Sequence, residues 1–300
     1  MSSLDKNFIS KQIKNITLKE VEREMEKLIE IGKTDCSDIS SRSRIGNNIV
    51  DYFTFTQRLE TKGKYNTNFY EFIENIEEFK KKKFIQTMLT YYKNVKNKNG
   101  TKNEYKVLKE VYNICISAIN IMRPLNCIEI YKKYNAKRVL NFCAGWGGTS
   151  VAAAVLDLDA FYGIEINTDL KEPYDRMVTY LKTKCKTDFN LRFCDAAAVD
   201  YTLFNYDMVF TSPPYYAVEK YANNVKYASK KEMEELFYKP VFTKSYNGLQ
   251  KGGHYIINVC VEVYENVLKN LFGAADETFP LKKSKRQNNY TEFVYVWKKE

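Results

Sequence analysis

The chain has 300 residues, of which 44% are hydrophobic and 28% charged. That is ample material for a buried core and fits a soluble globular protein of one or two domains. No apolar run approaches the ~18 residues of a membrane span, the polar start MSSLDKNFISKQIKNITLKE has no signal-peptide core, and the formal charge of +10 suits a polyanionic partner. A+T-rich codons would also enrich Lys, Asn, Ile and Tyr, so charge alone does not choose nucleic acid. The seven cysteines follow no metal-ligand spacing, no CxxC occurs, and His254 is the one histidine. No metal site is expected, and reduced thiols in a cytoplasmic compartment are the plain reading.

Residues 1–124 read as helical. NITLKEVEREMEKLIEIG repeats its apolar residues near every 3.6 positions, with Gly32 as a C-cap. NFYEFIENIEEFKKKKFIQTMLTYY continues the helical pattern, with Lys80 to Lys83 on that helix or at its end. KNVKNKNGTKNE, Lys93 to Glu104, is a polar loop. YKVLKEVYNICISAINIM is a further helix, stopped by Pro124. From residue 125 to 300 the rhythm changes to short β-rich runs that alternate with helical ones: KRVLNFC, AFYGIEI, NLRFCD, YDMVFTSPP, GGHYIINVC and EFVYVWKK. This predicts an α/β domain with a doubly wound, mostly parallel sheet. His254, just before a strand, reads as structural or exposed.

In open α/β sheets ligands bind beyond the carboxyl ends of the strands. After the first strand comes NFCAGWGG, Asn141 to Gly148, a turn of glycines with no lysine to reach a phosphate, so it is not a P-loop. After the second comes Glu165, about 20 residues past the glycines, where an acid can hold both hydroxyls of a ribose. Asp195 follows the third strand and can accept from an adenine amino group. This set, without a pyrophosphate grip, suits S-adenosylmethionine. After the fourth strand comes Ser212-Pro213-Pro214-Tyr215. An exocyclic base amine is a poor nucleophile, and a turn that accepts its hydrogens helps it become tetrahedral. Ser212 Oγ and the Pro213 carbonyl are the candidates, their direction fixed in advance by the prolines. Tyr215 offers a ring on which an extruded base can stack.

These residues resemble the N6-adenine and N4-cytosine DNA methyltransferases, whose hallmark is (Asp/Asn/Ser)-Pro-Pro-(Tyr/Phe). MRPLNCIEIYKKYNAKRVLNFCAGWGG and TSPPYYAVEKY look most like a branch found in phages, large DNA viruses and some bacteria, and the likeness runs over residues 122–260. It implies a class I methyltransferase fold, and a cofactor site of Arg123, Pro124, Asn141, Cys143, Ala144, Gly145, Trp146, Gly147, Glu165 and Asp195. It implies that Tyr216, Glu219 and Tyr221 shape the substrate pocket. It also admits a cognate restriction nuclease beside DNA as partner. Asn141 and Cys143 stand where the family has aspartate and phenylalanine, with Trp146 available to compensate. Serine at the head of the tetrapeptide leans towards cytosine N4.

About a dozen residues separate Asp195 from Asp207, too few for a target-recognition insert. The remaining candidates for that role are the N-terminal helical region, residues 1–124, and the segment after Tyr215. Within the former, SRSRIGNNIVDYFTFTQRLETKGKYN sets Arg42, Arg44, Arg58, Lys62 and Lys64 around Tyr52, Phe53 and Phe55. Such a mixture suits phosphate contact and base stacking, while the competing reading makes the aromatics core and the cations a solvated face. FKKKKF carries the same two readings. An RNA base methyltransferase and a non-catalytic nucleic-acid-binding subunit are the alternatives to a DNA enzyme.

Overall fold

A computed structural model describes residues 5–34, 43–216, 225–281 and 292–300. Its amino-terminal helices are α1 (Lys6–Ile13), α2 (Leu18–Lys33), α3 (Asn47–Arg58), α4 (Phe69–Glu74), α5 (Ile76–Lys80), α6 (Lys83–Tyr91), α7 (Glu104–Cys115) and α8 (Pro124–Lys133). Helix α2 starts on a capping box, in which the Glu20 amide donates to Thr17 Oγ1 and the Thr17 amide donates to Glu20 Oε2. It runs one residue beyond Gly32, so that glycine lies in the last turn and does not cap it.

Two expected helices are cut differently. The run from Asn68 to Tyr92 is three short helices, broken at Asn75 and at Lys81–Lys82. The Asn75 amide side chain donates to the Glu71 carbonyl at 2.8 Å, a local bond that competes with the helix ladder. Helix α7 stops at Cys115, well short of Pro124, and the Ile116 carbonyl accepts the Lys64 amide instead. Pro124 opens α8 at its first position, where the missing N–H costs nothing. The expected polar loop begins with one π turn, Tyr92–Lys96, that continues α6.

The carboxyl-terminal part forms a seven-stranded sheet. Its strands are β1 (Arg138–Asn141), β2 (Ala160–Glu165), β3 (Asp188–Phe193), β4 (Met208–Thr211), β5 (His254–Cys260), β6 (Glu277–Phe279) and β7 (Glu292–Lys298), in the order β3-β2-β1-β4-β5-β7-β6. Pairing is parallel from β3 to β5, and β7 runs against both β5 and β6. This is the doubly wound, mostly parallel sheet expected of a class I methyltransferase fold. The short β6 and the reversal of β7 were not expected. From β1 the chain winds one way to β2 and β3, then returns to place β4 on the other side of β1. The crevice beyond β1 and β4 is therefore the topological switch point.

The later helices are α9 (Gly148–Val155), α10 (Lys171–Leu181), α11 (Lys230–Met233), α12 (Lys239–Gly248), α13 (Val261–Val263) and α14 (Lys269–Phe272). One π turn, Glu234–Tyr238, joins α11 to α12. Strand side chains alternate between two cores. Val139, Phe161, Met208 and Phe210 pack with α8, α9 and α10, and also with Val21, Met25 and Leu28 of α2 and Ile49, Val50 and Phe53 of α3. Leu140, Val209, Tyr255 and Ile257 pack with Tyr238, Val241 and Phe242 on the opposite face. Helices α2 and α3 thus share a core with the sheet, whereas α1, α4 and α7 meet in a third cluster around Phe69, Phe72 and Tyr112. Among the described residues no helix is long and apolar enough to cross a membrane.

Candidate active site

The loop after β1 is fixed from several sides. Asn141 is buried and spends its amide on the loop itself: Oδ1 accepts from the Cys143 amide at 3.0 Å, and Nδ2 donates to Thr149 Oγ1 at 3.0 Å. The Ala144 amide donates to the Ile164 carbonyl of β2 at 2.8 Å, and the Tyr174 hydroxyl donates to the carbonyls of Ala144 and Gly145. Gly147 has φ +100°, and a Cβ there would stand 2.6 Å from Met177 Cε. A Cβ on Gly148 would stand 1.8 Å from the Met122 carbonyl oxygen. Only glycine lets the segment before Arg123 and Pro124 lie against the start of α9.

Trp146 is buried in the core that α2 and α3 share with the sheet, and its carbonyl accepts from Thr54 Oγ1 at 3.1 Å. It packs the loop onto α3. Gly145 faces open space, since a Cβ built on it would meet only the Cys143 carbonyl, at 3.8 Å.

Glu165, at the end of β2, accepts the Gly145 amide at 2.7 Å and the Asn167 amide at 2.9 Å. Burial pushes its carboxyl up to about 7, against the pull of those backbone amides. Asp195, at the end of β3, accepts the Ala197 amide at 2.9 Å. Cys143 lies among these groups. Burial holds its thiol well above the ordinary range, Glu165 and Asp195 push the same way, and a contact with Thr211 of β4 opposes them. One side chain thus senses the carboxyl ends of β2, β3 and β4.

Beyond β4, Ser212 Oγ and the Tyr215 hydroxyl are 3.1 Å apart, and Asn258 Nδ2 donates to both, at 3.0 and 2.6 Å. Asn258 is buried on β5, and its Oδ1 has no partner among the described residues. The Tyr238 hydroxyl, in the π turn before α12, donates to the Pro214 carbonyl and accepts the Tyr216 amide at 2.9 Å. π turns recur at functional sites, and this one clamps the turn from below. Tyr227 returns to the same place: burial first, then Asp195 and Cys143, push its hydroxyl up to about 12.

Asn258, Tyr238 and Tyr227 were missed in the sequence. Asn258 had a faint signal there, as the amide inside the apolar run YIINVC. His254 lies at the amino end of β5 with its ring 4.8 Å from that of Tyr134, away from the crevice.

Several expected substrate contacts lie elsewhere. Tyr216 is buried, with φ +50°, and its hydroxyl donates to Glu234 Oε1 at 2.6 Å. Its ring meets Tyr238 edge-on in the core under the turn. Arg58 is buried and paired with the buried Asp51, so it does not reach a phosphate. Phe53 and Phe55 are core residues, while Tyr52 is exposed. Arg44 is exposed and near Arg123, whose pKa is lowered by burial and by that second guanidinium. Arg42, Glu219 and Tyr221 lie outside the described residues.

No family model and no curated protein matches the sequence. Solved structures similar in fold include TrmN from Thermus thermophilus, at 15% identity and a TM-score of 0.42 over 59% of this chain and 49% of that one. An rRNA methylase from Streptococcus thermophilus has 14% identity and a TM-score of 0.39 over 60% of this chain and 99% of that one. NSun6 from Pyrococcus horikoshii, solved with SFG, has 14% identity and a TM-score of 0.42 over 60% of this chain and 52% of that one. The chain thus spans about half the length of TrmN and of NSun6.

Proposed function

We propose that the chain is an S-adenosylmethionine-dependent methyltransferase acting on an exocyclic amine of a nucleic-acid base. The observation that carries this is the convergence at the switch point. The glycine loop of β1, Glu165 of β2, Asp195 of β3 and Thr211 of β4, which leads into the Ser212–Tyr215 turn, meet around one thiol, Cys143. The donor set fits the cofactor. The Gly145 and Asn167 amides each donate to one Glu165 oxygen and the Ile166 amide adds a third backbone contact, which aims the carboxylate while leaving an acceptor position for a ribose hydroxyl. Asp195 supplies an acceptor on the adenine side, and the open space at Gly145 admits a ligand close to the backbone. When bound, the cofactor supplies an electrophilic methyl group.

The protein's part is to hold the amine. Asn258 fixes Ser212 Oγ and the Tyr215 hydroxyl, and Tyr238 fixes the turn through Pro214, so the acceptors are set before the base arrives. Positioning of this kind needs no covalent intermediate. DNA as the target, with cytosine N4 ahead of adenine N6, rests on the sequence resemblance. RNA is the second target class. One of the structures above is named an rRNA methylase, but its likeness to this chain is one of fold.

The test is made on cells expressing the intact protein or Ser212→Ala. DNA and RNA are digested separately to nucleosides, and methylated cytosine, adenine and guanine are measured by mass spectrometry. One amine mark that appears only with the intact protein fixes base and nucleic acid together. Full activity of Ser212→Ala would sink the proposed acceptor role.

A further inference from the structure

Two consecutive residues other than glycine, Tyr65 (φ +62°) and Asn66 (φ +53°), stand in the left-handed region. This conformation is costly for a residue with a Cβ and persists where the surrounding fold dictates it. Here the fold does so. The Gly63 amide donates to the Thr67 carbonyl at 3.1 Å, the Lys64 amide to the Ile116 carbonyl at 3.3 Å, and the buried Tyr112 hydroxyl to the Thr67 carbonyl at 3.0 Å. What the strained turn presents is an aromatic ring: Tyr65 is 50% exposed. The ring leans on Phe79, with centroids 6.3 Å apart, and carries Lys64 Nζ at 5.2 Å and Lys82 Nζ at 4.7 Å from its centroid.

The neighbouring charges are not compensated. Lys62, Lys80 and Lys81 pair with Glu71, Glu77 and Glu78. Lys64, Lys82 and Lys83 are exposed and form no ion pair among the described residues. Just ahead of the turn, Glu60 and Thr61 line a small cavity with Gln57, Asn167 and Asp169.

We propose that Tyr65, Lys64, Lys82 and Lys83 form a docking surface for a single-stranded segment of nucleic acid. The ring stacks on a base, and the ammonium groups hold the flanking phosphates. This rests on the reading that the substrate is a nucleic acid. An acidic polypeptide would match the charges alone. It would give no reason to hold a flat ring outward on a strained backbone, and a base does.

The experiment measures fluorescence anisotropy of a labelled oligonucleotide of about 12 nucleotides, an abasic oligomer of equal length, and polyglutamate. The proteins are the intact chain, Tyr65→Ala, Tyr65→Phe and the double variant Lys64→Gln/Lys82→Gln, with circular dichroism as the folding check. Tyr65→Ala should weaken binding about tenfold, and Tyr65→Phe should restore it. The double variant should lower the salt slope by about 1.4. It changes only exposed side chains, so it decides the matter even where Tyr65→Ala fails to fold.

The proposal is overturned by undiminished binding in folded Tyr65→Ala, by an unchanged salt slope, by abasic or polyglutamate binding as tight as that of the normal strand, or by no oligonucleotide binding at all. Cofactor binding and methyl transfer are measured on the same samples. Their failure alongside the expected anisotropy would remove the methyltransferase reading and leave the docking surface standing.

Discussion

Asn258 Nδ2 donates to the Tyr215 hydroxyl at 2.6 Å, and that hydroxyl donates back to the Asn258 carbonyl at 3.3 Å. The pair couples the end of β5 to the turn after β4. Removing the amide should leave Ser212 Oγ and the Tyr215 ring free to turn. Asn258→Ala is expected to lower kcat by about tenfold to a hundredfold, the range of one or two buried hydrogen bonds, with cofactor affinity unchanged. Single-turnover methyl transfer and cofactor calorimetry check the split. A cofactor affinity that falls in step with kcat would show that Asn258 supports the whole sheet end and not the turn.

Glu165 should make the free protein sensitive to pH in a definite direction. Its carboxyl is raised from 4.5 to about 7 by burial. Between those values the folded state binds more protons than the unfolded state, so this group's contribution to stability is complete below about 4.5 and is lost as pH rises through 7. Subtracting the melting curve of Glu165→Gln from that of the intact protein should expose a fall in relative Tm over that window. Cofactor binding should go the other way, because the ribose hydroxyls need the ionised acceptor. Affinity at pH 6 is expected to be about tenfold below its plateau above pH 8, and Glu165→Gln should be weak and flat.

The parts of the fold that sequence announces are those set by local chemistry. Strands β1, β2 and β4 are short apolar runs punctuated by glycine or proline, and both site loops are that punctuation. Strand β6, Glu-Thr-Phe, is too short to carry a period, and nothing local marks β7 as the reversed strand. Asn258 was hidden for a related reason. Alternation tells which face of a strand a residue uses, but not that a residue 46 positions earlier will meet it. Arg58 shows the converse error. Asp51, Phe55 and Arg58 are spaced at four and three residues on α3, so the cation shares the buried stripe, and its charge drew attention away from its position.

That stripe gives a stability prediction. Arg58 and Asp51 are 8% and 4% exposed, and Lys14 joins the pair at its rim. Removing one partner leaves a buried charge without compensation, at a cost of about 3–5 kcal/mol. Asp51→Ala, which strands the Arg58 guanidinium, should lose that much in urea denaturation, and Arg58→Ala, which leaves Lys14 paired with Asp51, should lose less. The folded fraction, held at low temperature, should bind oligonucleotide as tightly as the intact protein. Loss of affinity without loss of stability would restore Arg58 to the nucleic-acid interface.

Lys109 provides a second pH signature, opposite in sign to that of Glu165. Burial against the rings of Phe69 and Tyr112, with Arg58 and Lys14 adding like charge and Asp51 opposing, lowers its pKa from 10.5 to about 7. Its ammonium is within hydrogen-bond reach of Asn113 Oδ1, at 2.7 Å, a neutral acceptor that does not balance the charge. Between pH 7 and 10.5 the unfolded chain therefore binds the extra proton, and stability should rise with pH across that window. Lys109→Met keeps the stem and removes the titration. Its Tm should exceed that of the intact protein near pH 7.5, and the gap should close as pH approaches 10. A gap that stays constant with pH would mean that Lys109 is charged in the folded protein and that its neighbours already satisfy it.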